Sequence, residues 1–129
     1  MLDASEEKRS GPIRSHRDLV AWQKSMDLAV LIYETTRSFP REEIYGLISQ
    51  IRRCSSSIPA NIAEGQGRRS PREFHQFLAH SRGSLLELDT HIELALRVGY
   101  IEEKQYKEIQ ERINEVGRIL NGLMRSIDK

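Results

Sequence analysis

Residues 55–65 of the chain read Ser-Ser-Ser-Ile-Pro-Ala-Asn-Ile-Ala-Glu-Gly, with a proline inside an apolar helical rhythm. A proline removes one backbone donor and crowds the carbonyl four residues earlier, so it bends or breaks a helix. The serines before it have little bulk, which would let another helix approach closely. The stretch therefore predicts a helix packed against other helices, with either a bend or a break at Pro59.

The rest of the chain continues this helical pattern. Apolar residues recur at spacings of three and four, which predicts helices over 16–38, 41–64, 71–98 and 102–127. The strongest start signal is Ser70-Pro71-Arg72-Glu73, an N-cap serine followed by a proline at the first helical position and a glutamate that completes a capping box. No segment of useful length alternates with a period of two, and no Asn-Gly or Asp-Gly pair forms a hairpin turn between two such segments, so no strand is expected.

The number of helices and the short loops between them predict the architecture. Four helices joined by short connections favour an all-α domain, an antiparallel up-down-up-down four-helix bundle that spans residues 15–129. Residues 1–14 are polar and contain Ser10-Gly11-Pro12, a composition typical of a flexible arm.

The first and third helices carry more apolar residues than one core stripe requires. The predicted core stripe of the first helix is Leu19, Trp22, Met26, Ala29, Tyr33 and Thr36. The apolar residues outside the stripes of these two helices are Val20, Leu28, Leu31, Phe77, Leu86, Leu94 and Leu96. Scattered surface leucines are normal, but a second apolar face is typical of a helix buried between subunits. Because Leu31 lies nearly opposite Ala29 and Tyr33 on the helical wheel, we expect self-association through these outer faces.

Patterns that would indicate an enzyme or a metal protein are missing from the sequence. His80, Glu87 and His91 lie along one side of the third helix, but no other helix carries the Glu-x-x-His pair that a di-iron bundle needs. No serine lies in a strand-turn-helix elbow, and residues 65–69 lack the Gly-Lys-Ser/Thr ending of a phosphate-binding loop. We therefore expect a non-enzymatic protein with no metal and no cofactor.

Cysteine content and hydropathy indicate where the protein resides. The single Cys54 excludes an internal disulfide and fits a reducing cytosol. The longest apolar run, from Leu28 to Tyr33, is six residues and far short of a membrane span. We expect a cytoplasmic protein that does not contact a membrane.

Seven arginines form the candidate nucleic-acid contact. They lie at the start of the first helix, on the second helix and in the loop after it: Arg14, Arg17, Arg52, Arg53, Arg68, Arg69 and Arg72. Arginine forks and a helix N-terminus such as that at Ser70 both bind phosphate groups. The alternative is that these arginines form ion pairs with Asp18, Glu64 and Glu73, which are close in sequence. The net charge of +1 permits a polyanion partner but does not demand one.

The quoted stretch also carries a family resemblance. Together with Gln66-Gly67-Arg68-Arg69-Ser70 and with Leu19-Val20-Ala21-Trp22-Gln23-Lys24, it resembles the signature of the small four-helix bundle proteins encoded in bacterial 23S rRNA intervening sequences. The accessory proteins of diversity-generating retroelements look like relatives of that family. The resemblance covers roughly residues 16–127.

The resemblance implies an assembly and partners beyond what the residues alone predict. It implies a ring-like homopentamer, and the retroelement relatives imply an association with structured RNA or with DNA, alone or beside a reverse transcriptase. The alternative is a protein–protein interaction scaffold that binds no nucleic acid.

Overall fold

The computed structural model describes residues 13–128, and every regular element in that range is helical. The four long helices are α1 (Val20–Thr36), α2 (Leu47–Gln66), α3 (Pro71–Arg97) and α4 (Glu103–Ile127). Short 3₁₀ turns at His16–Asp18 and Arg41–Glu43 precede α1 and α2. The predicted all-helical class is confirmed for the described residues, and residues 1–12 of the predicted arm lie outside them.

The first two helices begin later than predicted. Ser15 caps a 3₁₀ turn instead of α1: its Oγ accepts the Arg17 amide at 3.2 Å, and the Asp18 carboxylate accepts the Ser15 amide at 3.3 Å. The backbone of Leu19 is then extended, so α1 begins at Val20 and not at residue 16 as predicted. Before α2, the carboxylate of Glu43 accepts the amide of Leu47 at 3.2 Å. This bond satisfies one of the free donors of the first helical turn and places the start of α2 at residue 47.

The third helix begins as predicted. The Ser70 hydroxyl accepts the Glu73 amide at 3.3 Å, and Pro71 occupies the first helical position, where its missing donor costs nothing.

The proline in α2 neither ends nor divides the helix. Side chains add hydrogen bonds around it: the Asn61 amide donates to the Ser57 carbonyl at 2.9 Å, and the buried Ser81 hydroxyl of α3 donates to the Ile58 carbonyl at 2.8 Å. The question left open by the sequence is therefore answered in favour of one continuous helix.

The glycine at the end of the quoted stretch lies where α2 and α3 approach each other closely. A Cβ atom at Gly65 would lie 2.7 Å from the Phe77 Cβ and 2.9 Å from the Phe74 Cδ1. Only a residue without a side chain fits there, which explains the glycine at the end of the quoted stretch.

Each helix packs against the next one in the chain, and α1 also packs against α4. Two side-chain hydrogen bonds join α3 and α4: Glu93 with Tyr106 at 2.6 Å and Arg82 with Asn121 at 3.4 Å. The partner of the later α3 residue is the earlier α4 residue, so these two helices run in opposite directions. The predicted stripes of these helices are largely confirmed. Their buried members are Leu78, Ser81, Leu85, Leu88, Ile92, Ala95, Ile109, Ile113, Val116, Leu120 and Leu123.

Helix α1 confirms only half of the predicted core stripe: Ala29, Thr36 and Leu19, which precedes the helix, are buried. Its buried residues are Ala21, Ser25, Leu28, Ala29, Ile32, Thr35 and Thr36. The predicted core residues Met26 and Tyr33 are instead 38% and 41% exposed. Three hydroxyl side chains can face the core because each donates to a backbone carbonyl of its own helix, at 2.8 to 3.0 Å. The predicted interface residue Leu28 is fully buried, so its assignment to a subunit contact was wrong.

Candidate nucleic-acid interface and apolar surfaces

Five of the seven candidate arginines lie at one end of the bundle. The segment before α1, the loop between α2 and α3 and the end of α4 meet there: His16 lines a hollow of 420 Å³ with Glu64 and Phe77, and His75 contacts Asp128, which follows α4, at 3.2 Å. The arginines of this end are Arg14, Arg17, Arg68, Arg69 and Arg72, and all of them are exposed. We call these five residues the basic end.

Within the basic end, Arg68 forms the ion pairs that the alternative interpretation predicts. Its guanidinium lies 3.4 Å from a carboxylate oxygen of Glu64 and 4.0 Å from one of Glu73, and it covers the Phe77 ring at 5.0 Å. Exposed ion pairs of this kind contribute only about 0–1 kcal/mol each. Arg68 is therefore partly neutralised and fixed to the surface between α2 and α3.

The other four arginines of the basic end keep their charge available. The Asp18 carboxylate, the expected partner of the first two, accepts the backbone amides of Arg14 and Ser15 at 2.9 and 3.3 Å instead. The Arg17 guanidinium lies 5.2 Å from the centre of the Trp22 ring. Within residues 13–128, Arg69 and Arg72 contact no carboxylate. Four exposed cations thus lie at this end of the bundle, and two of them, Arg69 and Arg72, flank the N-terminus of α3, where the first backbone amides also favour an anion.

Arg52 and Arg53 are separated from the basic end, contrary to a single phosphate-binding surface. At 1.5 Å per residue they lie about 20 Å along α2 from its end at Gln66. Arg52 donates to the Thr36 hydroxyl at 2.9 Å and to the Tyr33 carbonyl at 3.3 Å, and it lies 4.8 Å above the Tyr33 ring. It therefore caps the Tyr33 carbonyl in the last turn of α1 and joins α1 to α2. Arg53 is exposed.

An apolar groove of 390 Å³ runs between α1 and α2. Its main walls are Trp22, Met26, Val30 and Tyr33 of α1 and Pro59 and Ala63 of α2. We call it the α1–α2 groove. The sequence reasoning missed it because three of these residues were placed in the core stripe of α1. The signal that could have revealed the groove is the series of small and hydroxyl-bearing residues along one face of α1. Because that face packs in the core, the larger apolar residues lie on the adjacent, exposed face of the helix.

A second apolar surface lies near the other end of the bundle. Ile44, Tyr45, Leu94 and Val98 are 51%, 95%, 47% and 52% exposed. The turn that carries the first two is fixed to the α3–α4 loop, since the Tyr100 hydroxyl donates to the Glu43 carboxylate at 2.7 Å. We call these four residues the Tyr45 patch.

The remaining residues of the predicted subunit interface differ in exposure. Val20, Leu31, Phe77 and Leu96 are half-buried against their own bundle, whereas Leu86 is 61% exposed. Leu94 is the only one of the predicted residues that falls in the Tyr45 patch.

Titratable side chains form no evident reaction centre in the described part of the chain. No group of three or more histidine, cysteine or acidic side chains there could hold a metal ion. Burial, followed by the charge of Glu87, raises the pKa of the Cys54 thiol to about 12, so this cysteine stays protonated and unreactive. Among the described helices, none combines the length and the apolar character that crossing a membrane requires.

Comparisons with known proteins identify a family and solved structures that are similar to this chain. The sequence model of the 23S rRNA-intervening sequence protein family matches residues 17–122. A solved structure similar to this chain is that of a protein with unknown function from the S23 ribosomal protein family of Bacteroides thetaiotaomicron. The two are 28% identical, with a TM-score of 0.77 over 82% of this chain and 96% of that one. No curated protein sequence matches the chain.

Proposed function

Because the chain belongs to the 23S rRNA-intervening sequence protein family, we propose that it is a non-enzymatic, cytoplasmic bundle protein that binds structured RNA through its basic end. The observation that carries this proposal is the set of four exposed arginines, Arg14, Arg17, Arg69 and Arg72, that make no ion pair with a described carboxylate. The family description supports an RNA-related context for them.

The chemistry of these arginines suits a backbone contact rather than a base-specific one. Guanidinium forks match phosphate oxygens, and each neutralised phosphate releases counterions, which drives binding independently of base sequence. The only tryptophan, Trp22, lines the α1–α2 groove and lies under Arg17. It is therefore poorly placed to stack on unpaired bases, and we infer recognition of RNA shape and charge.

Assembly into an oligomer would strengthen RNA binding by a chain whose own net charge is only +1. The opposite-running cross-links between α3 and α4 support an up-down-up-down arrangement of the four helices. In a homo-oligomer, which the resemblance implies to be a ring of five, the basic end would be repeated by symmetry. A net charge of +1 per chain would then still give a locally positive surface.

The partner protein implied by the retroelement relatives belongs to the same proposal. A reverse transcriptase that works on structured RNA would meet the basic end through the RNA that both proteins hold. The second candidate function is a protein–protein scaffold without nucleic acid, and the α1–α2 groove is the observation that favours it, because an exposed apolar surface of this kind marks an interaction site.

RNA titration at low salt tests the proposal. Arg69→Ala/Arg72→Ala should weaken the binding of a structured RNA about tenfold or more, since each phosphate contact is a charge-assisted bond of about 1.5–3 kcal/mol in net terms. Arg112→Ala/Arg118→Ala is the matched control, because it removes the same charge from exposed positions of α4. Equal affinities for the two double variants, or no binding by the wild type, would favour the scaffold.

A further inference from the structure

We propose that the α1–α2 groove of one copy of the chain binds the Tyr45 patch of a second copy, in a head-to-tail contact. This inference rests on the self-association within the proposed function, and it names the two surfaces that meet. It replaces the predicted contact between the outer faces of the first and third helices.

The shapes of the two surfaces are complementary. The groove is concave, has a volume of 390 Å³ and is walled by aromatic, methionine, valine and proline side chains, a size and lining typical of pockets that bury an apolar group. Tyr45 is 95% exposed, on a turn that the Glu43 bonds to Tyr100 and Leu47 hold in place. An aromatic side chain on a fixed turn, inserted into an apolar pocket, is the usual anchor of a protein interface.

The charges around the two surfaces are opposite. At the Tyr33 end of the groove lie Arg37, the C-cap residue of α1, and Arg52, which covers the Tyr33 ring, with Arg53 beside it. The turn that carries Tyr45 also carries the carboxylates of Glu42 and Glu43 and the cation of Arg41. Arg97, which precedes Val98, is paired with Glu93 at 2.9 Å. Opposite charges around an apolar contact orient the two copies and suppress wrong registers.

The same chain supplies both halves of the contact, which favours a second copy over a different protein as the occupant. Because the two surfaces are different parts of the molecule, the contact leaves one groove and one patch free on each pair. Repetition of such a head-to-tail contact closes into a ring or extends into a filament. The ring-like assembly implied by the resemblance would be one outcome of this geometry.

Two single variants test the contact, and each changes an exposed position. Val30→Glu places a carboxylate in the groove, and Tyr45→Glu removes the anchor. We expect both variants to be monomeric at concentrations where the wild type assembles, with masses read by native mass spectrometry. Leu86→Glu is the matched control, because Leu86 is 61% exposed but belongs to neither surface. It should keep the wild-type mass, and circular dichroism should show unchanged helicity for all three variants.

Mixing the two monomeric variants gives the sharper result. The Tyr45→Glu chain keeps an intact groove and the Val30→Glu chain keeps an intact patch, so an equimolar mixture should form a 1:1 heterodimer that goes no further. No heterodimer, an unchanged mass for either variant, or a groove occupied by another protein instead would overturn the inference. Loss of assembly in Leu86→Glu would return the interface to the outer face of α3.

RNA binding can be tested independently of the contact between copies, because neither Val30 nor Tyr45 belongs to the basic end. A wild type that assembles as expected but binds no structured RNA would refute the proposed function and leave the contact standing. A wild type that binds RNA as a monomer would refute the contact and leave RNA binding in place.

Discussion

Arg52 and Arg69 carry the same side chain on opposite sides of residues 55–65, yet their surroundings give them different roles. Arg52 is held by the Thr36 hydroxyl, the Tyr33 carbonyl and the Tyr33 ring. Arg69, beyond the end of α2, contacts no described carboxylate or ring. Fixed acceptors turn one arginine into a structural link between helices, and their absence leaves the other available to a phosphate. The local acceptors, rather than the residue type, decide what each side chain does.

The largest difference in stability between two positions is expected for two glycines. Gly65→Ala should destabilise the fold by about 1–3 kcal/mol, because the new Cβ would overpack the α2–α3 contact, 2.7 Å from the Phe77 Cβ. Gly83→Ala, in the middle of α3, meets nothing within 4 Å. It should stabilise the fold by about 0.4–1 kcal/mol, since alanine favours a helix and restricts the unfolded chain. Urea denaturation measures both, and changes of the same sign would refute the packing argument.

The two neighbouring arginines of α2 give the next largest difference. Arg52→Ala should cost about 1–2 kcal/mol of unfolding free energy, because it removes charge-assisted bonds to the end of α1. Arg53→Ala should change stability by less than about 0.5 kcal/mol, as is usual for an exposed residue. Equal losses in thermal or urea unfolding would remove the distinction between the held and the available arginine.

The pairing of Tyr106 with Glu93 predicts a smaller, pH-dependent effect. The hydrogen bond to Glu93, with burial as a lesser cause, raises the pKa of Tyr106 to about 12. An unfolded tyrosine has a pKa of about 10, so the folded state favours the protonated hydroxyl. Its stabilising contribution is complete below pH 10 and is lost as the pH rises toward 12. Tyr106→Phe should flatten the fall of the urea midpoint over this interval, and an unchanged pH profile would show that the bond does not contribute.

The acid side of the same pair has the opposite sign. Hydrogen bonds from Tyr106 and then Arg97 lower the pKa of Glu93 below 4.5. This contribution is present above the ordinary carboxyl pKa and is lost as the pH falls through the lowered value. Glu93→Gln should therefore reduce the acid sensitivity of stability, and an identical acid transition would contradict this reading.

The accuracy of the sequence predictions varied with how local their physical causes are. The start of α3 could be predicted because Ser70, Pro71 and Glu73 act within one helical turn. The start of α2 could not, because the Glu43 carboxylate that caps it is oriented by Tyr100, which is 57 residues away. The stripe of α1 was partly misassigned because periodicity favours large apolar residues, whereas internal hydroxyl bonds let Ser25 and Thr35 face the core.

The candidate site shows the same limit. The sequence identified the arginines as a set and left ion pairing and phosphate binding open as alternatives for them. Which alternative holds for each residue depends on neighbours brought together by the fold: Glu64 and Glu73 for Arg68, and the end of α1 for Arg52. The spacing of residues along the chain does not contain that information.

The salt dependence of RNA binding tests the central claim most directly. Each phosphate contact contributes about 0.7–0.9 to the slope of log K against log salt concentration. We expect Arg69→Ala/Arg72→Ala to reduce this slope by about 1.4–1.8 per bound chain relative to the wild type, while Arg52→Ala leaves the slope unchanged although it destabilises the fold. Identical slopes for the wild type and Arg69→Ala/Arg72→Ala, or a slope reduced equally by Arg52→Ala, would contradict the assignment of RNA binding to the basic end.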